Sequence, residues 1–187
     1  MNRIGIRAAI VTVVALVLGG LTVSVSAAGG ARTCFGLEAT IVGTAGADTI
    51  IGTPGADVIV GRAGADIIRG LGGNDTICGG AGADVIRGGA GHDRIRGGIG
   101  ADVIRGGAGR DLIRGGIGAD VIRGGPGADR IRGGIGADVI SGRAGNDRLW
   151  GGAGHDLIRG GPGRDRIRGG TGSDTCFSPK HAPGCEL

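Results

Sequence analysis

The sequence predicts an all-β protein, a parallel β-solenoid of about 7.5 coils with eighteen residues and two short strands in each coil. Three observations predict it. Glycine supplies 48 of the 187 residues and aromatic residues only 2%, so the chain lacks the large side chains that fill an ordinary globular core. All 15 aspartates recur at intervals of nine residues. A second period of eighteen residues is superimposed on the first. The scarcity of proline excludes collagen, the other glycine-rich repeat fold.

The repeat unit is a nonapeptide that occurs fifteen times between Gly43 and Phe177. With aspartate at position six, glycine fills positions one and four of every unit, and isoleucine fills position eight of thirteen units. Position seven alternates between two residue sets, which indicates that one odd-numbered and one even-numbered repeat make one coil. Positions one to five suit a glycine-rich turn, and positions seven to nine suit a short strand. Because side chains alternate along a strand, position eight is expected to face inward.

The segments on either side of the array predict a processed, exported chain. Residues 1–28 combine a basic start, an apolar run and small residues, a pattern typical of a secretory signal peptide. The alternative is a membrane anchor, for which the run is barely long enough. We expect residues 29–42 to cap the N-terminal end with Ile41 facing inward, and residues 178–187 to form a C-terminal cap or tail. The mature chain is then expected to be secreted, without a membrane span.

Four cysteines in an exported chain favour disulfides. Cys176 and Cys185 are close in sequence, and their pairing would leave Cys34 to pair with Cys78. The alternative is a metal site, but the chain has no C-x-x-C motif and only His181 lies near the C-terminal pair.

The aspartates are expected to form one column along each edge of the solenoid. Successive coils lie about 4.8 Å apart, and two carboxylates at that distance repel each other by about 1 kcal/mol even in bulk water. A calcium ion between the two carboxylates would turn this repulsion into attraction, because its ligand distances of about 2.3–2.6 Å let one ion contact an oxygen from each coil. Backbone carbonyls of the turns would supply further ligands, whereas zinc prefers nitrogen or sulfur. The candidate metal ligands are Asp48, Asp57, Asp66, Asp75, Asp84, Asp93, Asp102, Asp111, Asp120, Asp129, Asp138, Asp147, Asp156, Asp165 and Asp174.

The unit G-G-x-G-x-D-x-I-x resembles the consensus of hemolysin-type (RTX) calcium-binding repeats over residues 43–177. The resemblance implies a right-handed parallel β-roll whose turns hold Ca²⁺ between successive coils. The two columns leave seven and six gaps between neighbouring aspartates, so we expect up to about 13 calcium ions. An enzyme is not expected, because His92 and His155 fall on opposite edges of a narrow rod that has no cleft.

Arginine is unusually frequent for this family, whose members are usually acidic: the array has 17 arginines against 15 aspartates. Calcium would neutralise the aspartates and leave the arginines uncompensated, which favours an anionic extracellular polymer as a partner. The alternative is that arginine only keeps the sheets soluble. A third interpretation, nucleic-acid binding by disordered RGG segments, does not require the strict aspartate and isoleucine spacing. The candidate polymer-binding residues, all on even repeats, are Arg94, Arg96, Arg114, Arg130, Arg132, Arg148, Arg166 and Arg168.

Overall fold

The computed structural model describes residues 11–14 and 33–177, which form 19 β-strands and no helix. None of the described residues therefore belongs to a helix that could cross a membrane. The strands are β1 (Val11–Val14), β2 (Thr33–Cys34), β3 (Leu37–Glu38), β4 (Ile41–Val42), β5 (Asp48–Ile51), β6 (Val58–Ala63), β7 (Ile67–Gly72), β8 (Thr76–Ala81), β9 (Val85–Ala90), β10 (Arg94–Ile99), β11 (Val103–Ala108), β12 (Leu112–Ile117), β13 (Val121–Pro126), β14 (Arg130–Ile135), β15 (Val139–Ala144), β16 (Arg148–Ala153), β17 (Leu157–Arg159), β18 (Arg166–Thr171) and β19 (Thr175–Phe177).

Two parallel sheets form the walls of a solenoid of about eight turns. The odd sheet has the order β1-β5-β7-β9-β11-β13-β15-β17-β19, and all its strands after β1 come from odd repeats. The even sheet has the order β18-β16-β14-β12-β10-β8-β6-β4 and takes all strands except β4 from even repeats. Consecutive strands of the array alternate between the sheets, so each eighteen-residue coil contributes one strand to each. The predicted all-β fold and the predicted coil length are confirmed.

Isoleucine fills the space between the two sheets. Strands pair with identical repeat positions side by side, as Ile104 with Ile86 and Ile122, and position eight is buried along the array. Ile41, ahead of the first repeat, pairs with Ile59 and is only 8% exposed. Ile41 therefore faces inward and extends the column by one residue at the N-terminal end, as predicted.

Most strands are longer than the sequence predicts. Val85–Ala90, for example, continues from position seven through position three of the next repeat, although positions one to three were assigned to the turn. The strand bends where it crosses into the next repeat, because glycine at position two, such as Gly98, has a φ of 132°. Arg62, Leu71 and Arg143 occupy the same position with φ values of 87°, 82° and 81°, a region that side chains with a Cβ rarely adopt.

A small antiparallel hairpin of β2 and β3 precedes the array and turns at Phe35 and Gly36, both with positive φ. A disulfide joins Cys34 to Cys78, with the two Cα atoms 5.8 Å apart, so this predicted pair is confirmed. Because Cys78 faces outward from the even sheet, the hairpin is held on the outer surface of that sheet.

Several predictions concern residues outside the described ranges. Cys176 is disulfide-bonded, but Cys185, its predicted partner, lies outside the described residues. So does the C-terminal cap or tail at 178–187. Of the predicted signal peptide only β1 is described, where it pairs in parallel with β5.

Candidate metal centres

Each aspartate of the array lies where a turn meets the following strand, and aspartates of successive coils stack above one another as predicted. The stacking is visible in the strand pairing, which aligns each repeat position with the same position eighteen residues later. Thirteen of the aspartates, from Asp48 to Asp156, are buried, whereas Asp165 and Asp174 at the C-terminal end are half-buried. The carboxylates are thus held in the turns, away from water.

One oxygen of each stacked carboxylate is held by the preceding coil. The backbone N–H of Asp84 donates to Oδ1 of Asp102 at 2.9 Å, and the N–H of Asp93 donates to Oδ1 of Asp111 at the same distance. The same bond spans every gap in both columns, from Asp66 to Asp174, at 2.8–3.0 Å. This ladder, which the sequence analysis missed, fixes the orientation of each carboxyl group.

The second oxygen, Oδ2, is buried in twelve aspartates and accepts no hydrogen bond from any described residue. Leaving a buried charged acceptor unsatisfied costs about 1–3 kcal/mol or more for each group. A cation beside these oxygens would remove that cost, so the site chemistry fits a metal ion. The twelve residues are Asp66, Asp75, Asp84, Asp93, Asp102, Asp111, Asp120, Asp129, Asp138, Asp147, Asp156 and Asp165.

Glycine at position one leaves room for two oxygens from successive coils to converge. A Cβ built on Gly97 would lie 2.2 Å from Oδ2 of Asp102 and 2.8 Å from the carbonyl oxygen of Gly115, one coil further along. Any other residue would therefore fill the space that these oxygens share. No three His, Cys, Asp or Glu side chains within the described ranges come together around one point, so a cation here needs backbone carbonyls as well. Such an all-oxygen donor set suits Ca²⁺.

Burial makes these carboxyl groups difficult to ionise. It raises the pKa of Asp102 from 3.8 to about 6, the backbone N–H of Asp84 partly offsets the rise, and the neighbouring carboxylate of Asp120 adds to it. The pKa of Asp66 and that of Asp129 are raised to about 7, again mainly by burial. Carboxyl groups of this kind favour whatever neutralises them, a cation or a proton.

The first two repeats are exceptions among the predicted metal ligands. Oδ2 of Asp48 accepts a hydrogen bond from the backbone N–H of Thr44, and Oδ2 of Asp57 accepts one from the N–H of Thr53. The hydroxyl groups of the two threonines lie within hydrogen-bonding distance of the same carboxylates. The protein itself therefore already satisfies these two aspartates.

The histidines of the array connect neighbouring turns. The N–H of His92 donates to Oδ1 of Asn74, and its ring Nδ1 accepts the N–H of Arg110. On the opposite edge, Nδ1 of His155 accepts the N–H of Ser173. Each of these bonds connects two successive coils at the surface.

The outward positions of the even sheet carry arginines in register. Arg96, Arg114 and Arg132 stack at position nine, and Arg130, Arg148 and Arg166 stack at position seven. The described strands of the even sheet contain no aspartate or glutamate, so no acidic residue alternates with these arginines along the strands.

Aromatic rings contact part of this arginine surface. The hairpin places the Phe35 ring 4.7 Å from the guanidinium carbons of Arg94 and Arg96 and 5.8 Å from that of Arg114. Arg132 packs on Trp150 at 4.9 Å. The N-terminal part of the predicted polymer-binding surface is therefore partly covered by the chain's own hairpin.

Comparison with known proteins identifies the repeat. The family model of the RTX calcium-binding nonapeptide repeat matches residues 42–77, 79–113, 114–149, 123–158 and 141–176. No curated protein matches the sequence.

Proposed function

The chain belongs to the RTX calcium-binding nonapeptide repeat family, and we propose that it is a secreted structural protein ordered by several calcium ions bound in its aspartate turns. The observation that carries the proposal is the set of twelve buried Oδ2 atoms that accept no hydrogen bond from residues 33–177. Repeat proteins of this family are typically secreted. Residues 1–28 have the pattern of a signal peptide, which supports export.

Both side-chain and backbone oxygens of the chain would serve as calcium ligands. The Asp ladder holds Oδ1, which leaves Oδ2 to face the ion. Glycine at position one brings a carbonyl oxygen of the next coil close to Oδ2. When bound, calcium would supply positive charge between coils and so cancel the repulsion between stacked carboxylates. The thirteen gaps between aspartates set an upper limit of about 13 ions.

Calorimetric titration of the purified protein with calcium, followed in parallel by circular dichroism, tests this proposal. We expect saturable binding of many ions and a gain of strand signal over the same concentration range, because binding and folding are linked. Magnesium is the control: its preference for a tight octahedron with retained waters predicts a much weaker response. A strand signal at neutral pH that is the same in calcium and in excess chelator would contradict the proposal.

We also propose, as a second function, that the even sheet binds an anionic polymer. The in-register arginines support it, because the described even-sheet strands carry no acidic residue between them and a fixed row of like charges attracts a polyanion. The RGG triplets lie within strands, as Arg87 does in Val85–Ala90, which favours a rigid surface over a disordered segment.

A heparin column, eluted with salt in the presence of calcium, tests the second function. The triple variant Arg130→Gln/Arg148→Gln/Arg166→Gln is expected to elute at lower salt than the wild-type protein. The matched control is Arg87→Gln/Arg105→Gln/Arg123→Gln, which removes the same charge from the in-register column on the odd sheet. Equal shifts for the two variants would show that net charge alone retains the protein and would refute a specific even-sheet surface.

A further inference from the structure

The turn of the first repeat forms a closed hydrogen-bond network without a metal. The N–H of Thr44 donates to Oδ2 of Asp48 at 2.5 Å, and the Thr44 hydroxyl lies 3.1 Å from Oδ2 and 3.2 Å from Oδ1. The hydroxyl in turn accepts the N–H of Gly46 at 3.1 Å. Both oxygens of the carboxylate therefore face donors from its own turn.

The second repeat, on the opposite edge of the solenoid, has the same network. The N–H of Thr53 donates to Oδ2 of Asp57 at 2.6 Å, the Thr53 hydroxyl lies 3.0 Å from the same oxygen, and the N–H of Gly55 donates to that hydroxyl at 3.2 Å. Hydrogen-bond donors thus occupy the side of the carboxylate that would face a cation in the later turns. A cation there would have to displace them.

Threonine, and not merely the loss of glycine, distinguishes these two turns. Arg62, Leu71 and Arg143 also replace glycine at position two, yet they keep the left-handed backbone of the later repeats. The aspartates of those three repeats keep an unsatisfied Oδ2. Thr44 and Thr53 lie outside the left-handed region, so their turns adopt a different conformation in which the N–H and the hydroxyl reach the carboxylate.

We propose that the turns at residues 43–48 and 52–57 do not bind calcium and that, with the Cys34–Cys78 disulfide, they form a metal-independent cap. The disulfide ties the hairpin to β8, across the strands of the first coils, and Ile41 closes the core beneath. The cap stays folded when calcium is absent.

The cap also presents a template for the coil that follows it. The N–H of Asp48 donates to Oδ1 of Asp66, and the N–H of Asp57 donates to Oδ1 of Asp75. The next coil thus finds its first carboxylate acceptors positioned by a rigid edge, and only its Oδ2 atoms await a cation. Calcium is then expected to order the array from the cap towards the C-terminal end; this step rests on the proposed function, whereas the metal-free cap does not.

Hydrogen–deuterium exchange of the full chain at neutral pH in excess chelator tests the cap. We expect amides of residues 41–60 to exchange at least tenfold more slowly than those of residues 103–122. The variant Thr44→Gly/Thr53→Gly, which restores the repeat consensus, is expected to lose this protection. In saturating calcium, native mass spectrometry should find about two more bound ions in that variant than in the wild-type protein, one for each turn that has lost its threonine.

Two further variants control for the substitution itself. Arg143→Gly also introduces glycine at position two, but in a turn whose aspartate has an unsatisfied Oδ2. This variant should change neither the N-terminal protection against hydrogen exchange nor the number of bound ions. Thr44→Ser/Thr53→Ser keeps the hydroxyl groups and should retain the wild-type behaviour. Uniform fast exchange of the wild-type chain in chelator, or an unchanged ion count in the glycine variant, would overturn the proposal. N-terminal protection in a chain that binds no calcium would support the cap and refute the calcium function.

Discussion

The strands and the turns of this solenoid stack identical residues with opposite energetic results. In the strands, Ile104 lies between Ile86 and Ile122, and contact between these fully buried apolar side chains is favourable. In the turns, Asp102 lies between Asp84 and Asp120, and contact between buried like charges is unfavourable. The difference shows that the strands supply the stability which the chain has by itself, and that the turns determine the conditions under which the fold persists.

Protonation of the aspartates at low pH should order the protein without calcium, and this is the largest effect that we expect. Burial raises the pKa of Asp66 and Asp129 to about 7 and that of Asp102 and Asp120 to about 6, from an ordinary value of 3.8. A carboxyl group whose pKa is higher in the folded than in the unfolded state stabilises the fold fully below about pH 4, and this stabilisation is lost as the pH rises through 6 to 7. Calcium-free protein should therefore be ordered at pH 4 and largely unfolded at pH 8, as measured by circular dichroism.

The calcium-bound protein provides the control, with the opposite pH dependence. Its carboxylates must be ionised to bind the ion, so the affinity for calcium should fall as the pH is lowered and the bound ions should be released in acid. Equal order of the calcium-free chain at pH 4 and pH 8 would mean that the turns do not control the fold.

A core substitution should lower the free energy of unfolding by the same amount whether calcium or protons neutralise the aspartates of the turns. Ile104→Ala removes a fully buried side chain, which costs about 2–5 kcal/mol of unfolding free energy. We expect the same loss with saturating calcium at pH 8 and without metal at pH 4, measured by urea denaturation. The neighbouring Val103→Ala, at an outward position that is 36% exposed, should cost much less. A loss that depends strongly on calcium would show that strands and turns are not separable.

The parts of the structure that the sequence predicts are those that the strict repeat determines. With aspartate at position six and an apolar residue at position eight of every repeat, only one register buries position eight along the whole array, so the core column and the two aspartate columns follow from the spacing. The Asp66 to Asp174 hydrogen-bond ladder did not follow, because it depends on the rotation of the carboxyl groups and not on the spacing of the residues.

The features that the sequence analysis missed lie where the repeat is broken. Thr44 and Arg62 are both exceptions to glycine at position two, but Thr44 donates to Oδ2 of the aspartate in its own turn, whereas Oδ2 of Asp66 accepts no hydrogen bond from any described residue, and so the two turns differ. The position of the hairpin was also missed. A signal for it was present: Cys78 stands at an outward position of an even repeat, so its partner Cys34 has to approach the even sheet from outside.

Removing the charge of one turn should have opposite effects with and without calcium. In Asp111→Asn, the amide oxygen can still accept the N–H of Asp93, which is 2.9 Å from Oδ1 in the wild-type protein. The amide NH₂ replaces an unsatisfied oxygen near the carbonyl of Gly124, so the metal-free fold should gain about 1–3 kcal/mol.

With calcium, the same variant should bind one or two ions fewer, because Asp111 borders two gaps of its column. Asp57→Asn is the matched control: its amide oxygen can keep the two bonds from Thr53, so this substitution should change the metal-free fold and the ion count much less. The strand signal by circular dichroism in chelator at neutral pH and ion counts by native mass spectrometry measure both effects. If Asp111→Asn stabilises the metal-free fold no more than Asp57→Asn does, the unsatisfied oxygen is not the reason that the turns require a cation.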